Sequence, residues 1–431
     1  MRKILIIAPH YAPSNLAAVH RSRLFAKHLP SFGWEPIILT VDKEFYEEKP
    51  DWELNKLIPP YQRILTVKAF KVGKPRMIGD LGLRSFFQLR KKALELLKTE
   101  NIDFVYIPIP SFYTALIGSY LFKKVGVKYG IDYIDPWVHP FPGSEKLFSR
   151  HWFSTQLAKI LEPIAVKNAS LITGVSEAYY LPVLDRNPHL KEKVITAAMP
   201  YGGEKEDHEF VRNTLYVRSQ TSGVRHQESV NTDSVSSSFK FVYAGALLPK
   251  AIKPLEEIFK ALNSTLKSDP WLMTSDVSFN FIGTAGKVKP LAEKYGLFHK
   301  MVFEHSDRVS YLDVLVQLEK ADGIFILGST EPHYTPSKVY QAVLSRKPIL
   351  AVLHKDSTAV KVIEDSQAGM NVLMDGENDL HTLGDSFLEQ FKNYIIWAKV
   401  FDASKYNMEQ FDMYSAKAIT EKLILALNKV S

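Results

Sequence analysis

Residues 331–350 read EPHYTPSKVYQAVLSRKPIL, and the fold can be worked out from this stretch. It follows an apolar run, Gly323 to Leu327, which predicts a buried strand, and it leads into a second apolar run from Pro348. Between the two runs, Pro336 suits the first turn of a helix, and Thr335 is a good helix cap. A strand, a loop, a short helix and another strand predict one unit of a parallel α/β sheet.

The start of this predicted helix also indicates an anion-binding site. Free backbone N–H groups and the positive end of the helix dipole would point toward the end of the preceding strand. Lys338 adds a positive charge in the first turn, where it is unfavourable for the helix itself. The alternative is a solvated surface lysine. The nearby loop residues Glu331, His333 and Tyr334 favour a binding site for phosphate.

Length and composition indicate an ordinary globular protein. The 431 residues are enough for two or three domains, and 46% hydrophobic with 23% charged residues is typical of this class. No cysteine is present, which excludes disulfides and thiolate metal sites. The net charge of +7 fits an anionic substrate or a membrane surface and is too diffuse to indicate nucleic acid.

No targeting signal is visible, so we expect a cytoplasmic protein, with peripheral contact at the inner face of a membrane as an option. The longest uncharged stretch, Phe104 to Phe122, has the length of a membrane span. Pro108 and Pro110 divide it, and we therefore predict a buried strand followed by a helix.

The chain predicts two successive α/β halves. An apolar strand at Lys3 to Ala8, a helix ending near Gly33 and a strand at Glu35 to Val41 form a β-α-β unit. A second alternating pattern begins at Phe239 and continues to a helical stretch at about 384–429. We expect two Rossmann-like, doubly wound domains that face each other across a cleft.

The expected domains are residues 1–200, a polar linker or insertion at 201–238, and residues 239–431. The linker prediction rests on a composition rich in Ser, Thr, Asn, Glu and Arg between Gly202 and Ser238.

One predicted helix has a basic and aromatic surface. From Leu83 to Lys98, Leu and Phe residues share one face, while Arg84, Lys91 and Lys98 lie seven residues apart on the other. Core packing is the ordinary interpretation of such a helix. Contact with an anionic membrane surface is the alternative.

Four passages together resemble the family 4 glycosyltransferases of the GT-B fold. They are YAPSNLAAVHRSRLFAKHLPSFGWEPIILT at 11–40, FVYAGALLPKAIKPLEEIFKAL at 241–262, FNFIG at 279–283 and TPSKVYQAVLSRKPIL at 335–350. The resemblance implies that the C-terminal half holds a nucleotide-sugar donor and the N-terminal half holds an acceptor. It further implies transfer of a sugar, with retention, to a cell-surface glycan or a lipid-linked acceptor. No metal and no cofactor are expected.

The residues expected at the donor come from the C-terminal half. Gly245 and Gly283 end strands and permit close approach of a ligand. Lys250 or Lys253 matches the family's phosphate-binding lysine, and we expect Lys253 and Lys338 to act in catalysis by stabilising the departing diphosphate. The complete set of expected donor residues is Gly245, Lys250, Lys253, Gly283, Glu331, His333, Thr335, Pro336, Ser337, Lys338 and Gln341.

The chain departs from the family pattern at its paired glutamates. These map onto His333 and Gln341, and Glu331 is a possible substitute for the first one. Gln341 can still contact ribose hydroxyls, although a neutral hydrogen bond is about half as strong as a charged one. Two alternatives therefore stay open: a non-catalytic protein that binds nucleotide sugars, and a sugar-nucleotide epimerase of the same fold.

The residues expected at the acceptor come from the N-terminal half. Asp135 lies in the segment YGIDYIDPWVHP after a strand, which resembles the family's Asp-x-Trp region, and we expect it to be catalytic. A carboxylate can bind sugar hydroxyls, and an aromatic ring can stack on the sugar face. The expected acceptor residues are Asn15, His20, Arg21, Asp132, Asp135 and Trp137.

Overall fold

The computed structural model describes residues 1–73, 79–139, 145–221, 239–266, 268 and 276–430. The chain forms two compact units. Unit 1 contains Met1–Tyr201 and Ala416–Ser431, and unit 2 contains Gly202–Ser415. Each unit has its own apolar core around a parallel sheet.

The described strands are β1 Arg2–Ile7, β2 Trp34–Val41, β3 Arg63–Val67, β4 Phe104–Ile109, β5 Lys128–Tyr133, β6 Leu171–Gly174, β7 Ile195–Ala198, β8 Phe239–Ala244, β9 Val277–Ile282, β10 Val302–His305, β11 Gly323–Leu327, β12 Ile349–His354 and β13 Gly369–Met374. The described α-helices are α1 Ala17–His28, α2 Leu81–Arg84, α3 Phe86–Thr99, α4 Ala115–Val125, α5 Arg150–Val166, α6 Glu177–Arg186, α7 Lys205–Thr221, α8 Ile252–Leu266, α9 Lys289–Lys294, α10 Tyr311–Lys320, α11 Lys338–Leu344, α12 Thr358–Asp365, α13 Leu380–Ala398, α14 Met408–Asp412 and α15 Ala416–Val430.

Both sheets have the doubly wound strand order. In unit 1 the order is β3-β2-β1-β4-β5-β6-β7, and in unit 2 it is β10-β9-β8-β11-β12-β13. Adjacent strands pair in parallel, as continuous apolar runs covered on both faces require. The order reverses direction between β1 and β4 and between β8 and β11, and ligands bind outside such switch points in this kind of sheet. The predicted Rossmann-like fold class is confirmed.

One strand was not expected from the sequence. Strand β3 lies at the edge of the first sheet, between β2 and α2 in the chain. Its residues alternate between half-buried and exposed, so β3 has no continuous buried run. An edge strand that is not buried on both faces lacks the continuous apolar run by which a central strand is recognised in the sequence.

The chain between the sheets differs from the predicted linker. Residues Lys205–Thr221 form helix α7, and residues 222–238 of the predicted linker lie outside the described residues. The helix packs in unit 2 through polar side chains. Tyr311 donates a hydrogen bond to the buried Asp207, and the buried His208 contacts Glu319 at 2.7 Å. Because polar residues form most of this buried face, with Val211 as its apolar member, the sequence shows no apolar helical period there.

The C-terminal segment also differs from the predicted domain boundary. The helical stretch expected at 384–429 is three helices, α13 to α15, and the last one belongs to unit 1. Ile419, Leu423 and Leu427 on α15 are buried in the core around β1. The apolar period of α15 predicts a packed helix, but it does not tell which core receives the helix.

The helix considered for membrane contact is broken at Ser85 into α2 and α3. Arg84 was placed on an exposed basic face, but it is buried and donates hydrogen bonds to the carbonyls of Phe70 and Phe45. Leu94 and Leu97 pack against the core. This arrangement corrects the predicted surface and favours core packing for most of α3. Among the described residues, no helix combines the length and the apolar character needed to cross a bilayer.

Candidate functional site: a shielded lysine at the switch point of unit 2

Lys338 is the first residue of α11, which follows β11 at the switch point of the second sheet. The side chain crosses to the end of β8, where its Nζ lies 3.7 Å from the centroid of the Tyr243 ring. The stem of Lys338 is half-buried, but the amine itself is shielded from solvent and has no hydrogen-bond partner. A shielded and unpartnered amine is a rare feature in a protein.

The environment of this amine disfavours its charge. Burial lowers the pKa of Lys338 to about 7, from an ordinary value of 10.5. A cation over an aromatic ring gains roughly 0.5–2 kcal/mol, which is smaller than the several kcal/mol that burying an ammonium costs. An anionic ligand would supply the missing interaction and would favour the protonated form of Lys338.

Two glycines give a ligand room beside this amine. Gly245 follows β8 with a φ of 125°, and a Cβ there would lie 3.4 Å from the Lys338 Nζ. Gly283 follows β9 with a φ of 76°, and its position borders Gly245. Their own N–H groups already donate to Ile282 and His305. The glycines therefore contribute conformation and space, and Lys338 contributes the charge.

The other two expected lysines carry partners. Lys250 Nζ donates to the Glu331 carboxylate at 2.9 Å, so the structure brings together two residues that were expected at the donor. Lys253 contacts Glu377 at 2.7 Å, and both side chains are exposed. Lys253 is the weaker candidate for binding phosphate. Its exposed ion pair contributes little free energy, so the structure does not hold its side chain in one position.

The loop before α11 differs from its predicted capping. The helix begins at Lys338, with Ser337 at the N-cap position and no side-chain capping bond. Thr335 instead shares a hydrogen bond with Thr358, at 2.6 Å, and Pro336 lies before the helix. A seven-residue helix without a cap is a poor anion site by itself. The binding argument therefore rests on the Lys338 amine. His333 is half-buried in the same loop.

Gln341 is oriented toward α7. Its Oε1 lies 3.1 Å from Nε2 of His208, whose Nδ1 contacts Glu319. Gln341 was expected to contact ribose hydroxyls. To do so, its side chain would have to give up the contact with His208 when the ligand binds. His208 is a site neighbour that the sequence reasoning missed, because it lies in the segment interpreted as a linker.

In unit 1, two of the expected acceptor residues form an internal ion pair. Arg21 donates two hydrogen bonds to Asp132, at 2.8 and 3.0 Å, and two more to the carbonyls of Met199 and Pro200. Arg21 is 1% exposed and Asp132 is 0% exposed. Asp132 also accepts from Thr173. These contacts account for both residues as structural, and their acceptor role is not part of the function proposed below.

Trp137 is also occupied within unit 1. Its ring is buried and stacks on Phe112, with ring centroids 5.8 Å apart and planes within 6° of parallel. Tyr113 packs against it edge-on. This packing leaves little of the ring exposed, and the stacking role that the Asp-x-Trp resemblance implied stays a prediction.

The remaining expected acceptor residues are accessible. Asn15 Oδ1 lies 2.9 Å from His20 Nε2, and both residues are half-buried around the start of α1. Asp135 is exposed. Although part of the residue is exposed, desolvation of its carboxyl group by the surrounding protein raises the pKa of Asp135 to about 6. The charge of His139 acts in the opposite direction and lowers this pKa. A carboxyl with a raised pKa suits proton transfer near neutral pH.

Tyr243 is the residue of the lysine site that the sequence reasoning missed. It lies in strand β8, FKFVYA, in which Phe239, Phe241 and Tyr243 occupy alternate positions and therefore share one face. Phe241 and Tyr243 both belong to the core of unit 2. Aromatic residues at every second position of a strand predict a buried face. Only the position of Lys338 in the structure shows that the Tyr243 ring also contacts a cation.

Comparison with known proteins identifies the fold. No protein-family model matches the sequence, and no curated protein sequence matches it either. Among solved structures, Anabaena Alr3699/HepE in complex with UDP-glucose matches with a TM-score of 0.60 and 14% identity over 100% of both chains. A glycosyltransferase from Rickettsia africae matches with a TM-score of 0.60 and 15% identity, covering 100% of this chain and 98% of that chain.

A third similar structure is the UDP-forming α,α-trehalose-phosphate synthase from Burkholderia xenovorans. It matches with a TM-score of 0.63 and 12% identity, over 100% of this chain and 99% of that chain. Identities this low establish the fold alone. The chain therefore has the GT-B fold, with two Rossmann-like units, as the resemblance implied.

Proposed function

We propose that this protein is a glycosyltransferase that takes a sugar from a nucleoside diphosphate sugar, with the diphosphate bound at Lys338. The observation that carries the proposal is the shielded amine of Lys338, which has no partner and lies beside Gly245 at the switch point of the second sheet. The fold family supports the same location, because ligands bind at switch points of doubly wound sheets.

The chemistry at Lys338 fits a departing diphosphate. As the bond between sugar and phosphate breaks, negative charge grows on the phosphate oxygens, and a cation that is already in place stabilises it. A charge-assisted hydrogen bond of this kind contributes about 1.5–3 kcal/mol. Lys250, whose partner Glu331 lies in the loop between β11 and α11, is a second candidate contact for the same ligand.

Uridine is the base to test first. The HepE structure contains UDP-glucose, and the trehalose-phosphate synthase is described as UDP-forming. We propose unit 2 for the donor and unit 1 for a glycan or lipid-linked acceptor, with Asp135, Asn15 and His20 as its accessible candidate contacts. We also propose retention of the anomeric configuration, which the family resemblance implies, and NMR of the product anomer tests it.

A donor panel tests the proposal. Purified protein is incubated with uridine, guanosine, thymidine and cytidine sugar nucleotides, and both the melting temperature and the release of free nucleotide are measured. We expect one base to raise the melting temperature and to be released slowly by transfer to water. The Lys338→Met variant should lose both responses, while Lys355→Met, at an exposed lysine of the same unit, should keep them. Absence of both responses with every donor would contradict the proposal.

A further inference from the structure

Helix α5 of unit 1 has an unusual distribution of side chains. Its buried positions include Ala158, Glu162 and Ala165, and Glu162 forms an ion pair with Arg186 at 2.7 Å. Several of its large apolar residues nevertheless point outward. Phe153 is 56% exposed and Ile160 is 63% exposed. A helix on an ordinary soluble surface shows the opposite distribution, with apolar side chains inward and charges outward.

The exposed apolar residues form one stripe. Phe153, Leu157, Ile160 and Ile164 are spaced by four, three and four residues, which places them on the same side of the helix. At 1.5 Å per residue, the stripe from residue 153 to residue 164 is about 16 Å long. Isolated exposed apolar residues are common, but a continuous stripe indicates an interaction surface.

The segment that leads into α5 extends this surface. Phe148 is 74% exposed and contacts the rings of Trp152 and Phe153, with centroids 5.5 and 6.3 Å apart. Its φ of 61° lies in the left-handed region, which a bulky residue adopts only at an energetic cost. A strained backbone that holds an aromatic ring in solvent is typical of a functional contact.

The charged residues of this segment are mostly basic. Lys146 and Arg150 lie at its start, and Lys159 and Lys167 lie along its second half and end. The exposed acidic residue in this segment is Glu145, since Glu162 is buried in its ion pair. Aromatic and aliphatic side chains bordered by Lys and Arg match the interface of an anionic lipid bilayer.

We infer that residues 146–167 form a membrane-docking surface that binds anionic lipid bilayers. The apolar stripe enters the region between head groups and acyl chains, and the lysines and arginine contact lipid phosphates. This inference concerns a surface separate from the lysine site, and it does not depend on the proposed function. It also replaces α3, whose Phe86, Leu94 and Leu97 pack against the core, as the membrane-facing element.

Vesicle sedimentation of the full chain tests this inference. The wild type should sediment with vesicles that contain phosphatidylcholine and phosphatidylglycerol, and it should stay in solution with phosphatidylcholine alone. The Arg150→Gln, Lys159→Gln pair should bind at least about tenfold more weakly, since each basic residue near the surface contributes about fivefold. The Phe153→Ser, Ile160→Ser pair should lose binding, because its apolar contact is removed.

Two matched controls keep the test specific. Lys91→Gln with Lys98→Gln makes the same charge change on α3, and Ile396→Ser removes an apolar side chain of α13 that is 64% exposed. Both should bind as the wild type does, and circular dichroism melts should confirm that all variants are folded. Equal binding by the α5 variants and the wild type would overturn the inference. So would absence of vesicle binding by the wild type. A dimer that the serine pair dissociates, seen by sedimentation equilibrium, would then assign the stripe to a protein interface.

Discussion

Arg21 in unit 1 and Lys338 in unit 2 are both cations whose charged groups are removed from water, yet their surroundings are opposite. Arg21 donates to Asp132 and to two carbonyls, and its guanidinium lies 4.8 Å from the Phe25 ring. Burial disfavours its charge, but Asp132 outweighs burial and the pKa of Arg21 is raised. Lys338 has an aromatic ring and no hydrogen-bond partner.

This difference separates stability from binding. The four hydrogen bonds that Arg21 donates all end on protein acceptors, so this residue stabilises unit 1. The amine of Lys338 destabilises the free protein and can gain an interaction only from a ligand. Functional groups are often held in this unfavourable state, because the binding energy is then available to the ligand.

The largest expected effect comes from breaking the Arg21 pair. Arg21→Gln leaves Asp132 as a buried charge without its main partner, which should lower the free energy of unfolding by about 3–5 kcal/mol. Urea unfolding monitored by circular dichroism measures this change. Asp132→Asn should give a similar loss, and neither change should alter the affinity of the folded protein for a nucleotide sugar by more than about twofold. A loss below about 1 kcal/mol for both variants would contradict the structural role.

Removing the Lys338 amine should have two effects of opposite sign. Lys338→Met should weaken binding of UDP-glucose by about 10- to 100-fold, because a charge-assisted hydrogen bond is lost. It should also raise the free energy of unfolding of the ligand-free protein by about 1–3 kcal/mol, because an unpaired buried polar group is removed. Calorimetric titration and urea unfolding measure the two effects. Weaker binding with reduced stability would indicate a general packing role for the side chain instead.

The pH dependence of binding should follow the pKa of Lys338. UDP-glucose keeps a constant charge near neutral pH, because each of its phosphates carries one strongly acidic group. With a pKa of about 7 in the free protein, Lys338 is protonated below pH 7, and affinity should fall by about tenfold per pH unit above it. The slope should disappear in Lys338→Met. A wild-type affinity that is constant from pH 7 to 9 would contradict this assignment.

Stability should change with pH in the opposite direction. Between pH 7 and about pH 10, the unfolded chain holds a proton on Lys338 that the free folded protein does not hold. The contribution of this residue to the free energy of unfolding should therefore rise with pH across that window. The stability advantage of Lys338→Met should shrink accordingly.

The smallest expected effect is at Lys253. This exposed residue pairs with Glu377, which is also exposed, and such pairs contribute about 0–1 kcal/mol. Lys253→Gln should change the affinity for UDP-glucose by less than about twofold. The sequence placed Lys253 and Lys338 together in catalysis, so this comparison separates them. A tenfold loss at Lys253 would show that the side chain moves onto the bound donor.

The parallel sheets and their switch points were predictable, because buried strands such as β1 and β11 are continuous apolar runs. Lys338 was also found from its position after β11. Its shielding by Tyr243 was not predictable, since that contact joins two elements about 95 residues apart. Arg21 and Asp132 look like ligand-binding residues in the sequence. Only the fold shows that they bind each other across 111 residues.

Helices α5 and α7 show the same limit in a different way. In α7, polar residues such as Asp207 and His208 are buried and replace the apolar period that normally identifies a packed helix. In α5, apolar residues such as Ile160 are exposed, and the sequence pattern alone assigns them to the core. Periodicity predicts that a helix has two faces, but it does not tell which face the protein buries.

The most direct test of the account is urea unfolding of the wild type and of Lys338→Met, each with and without UDP-glucose. The account predicts that the variant is more stable than the wild type without ligand, and that UDP-glucose added near the wild-type Kd stabilises the wild type more than the variant. Equal stabilisation of both proteins by UDP-glucose, or a variant that is less stable than the wild type without ligand, would contradict it.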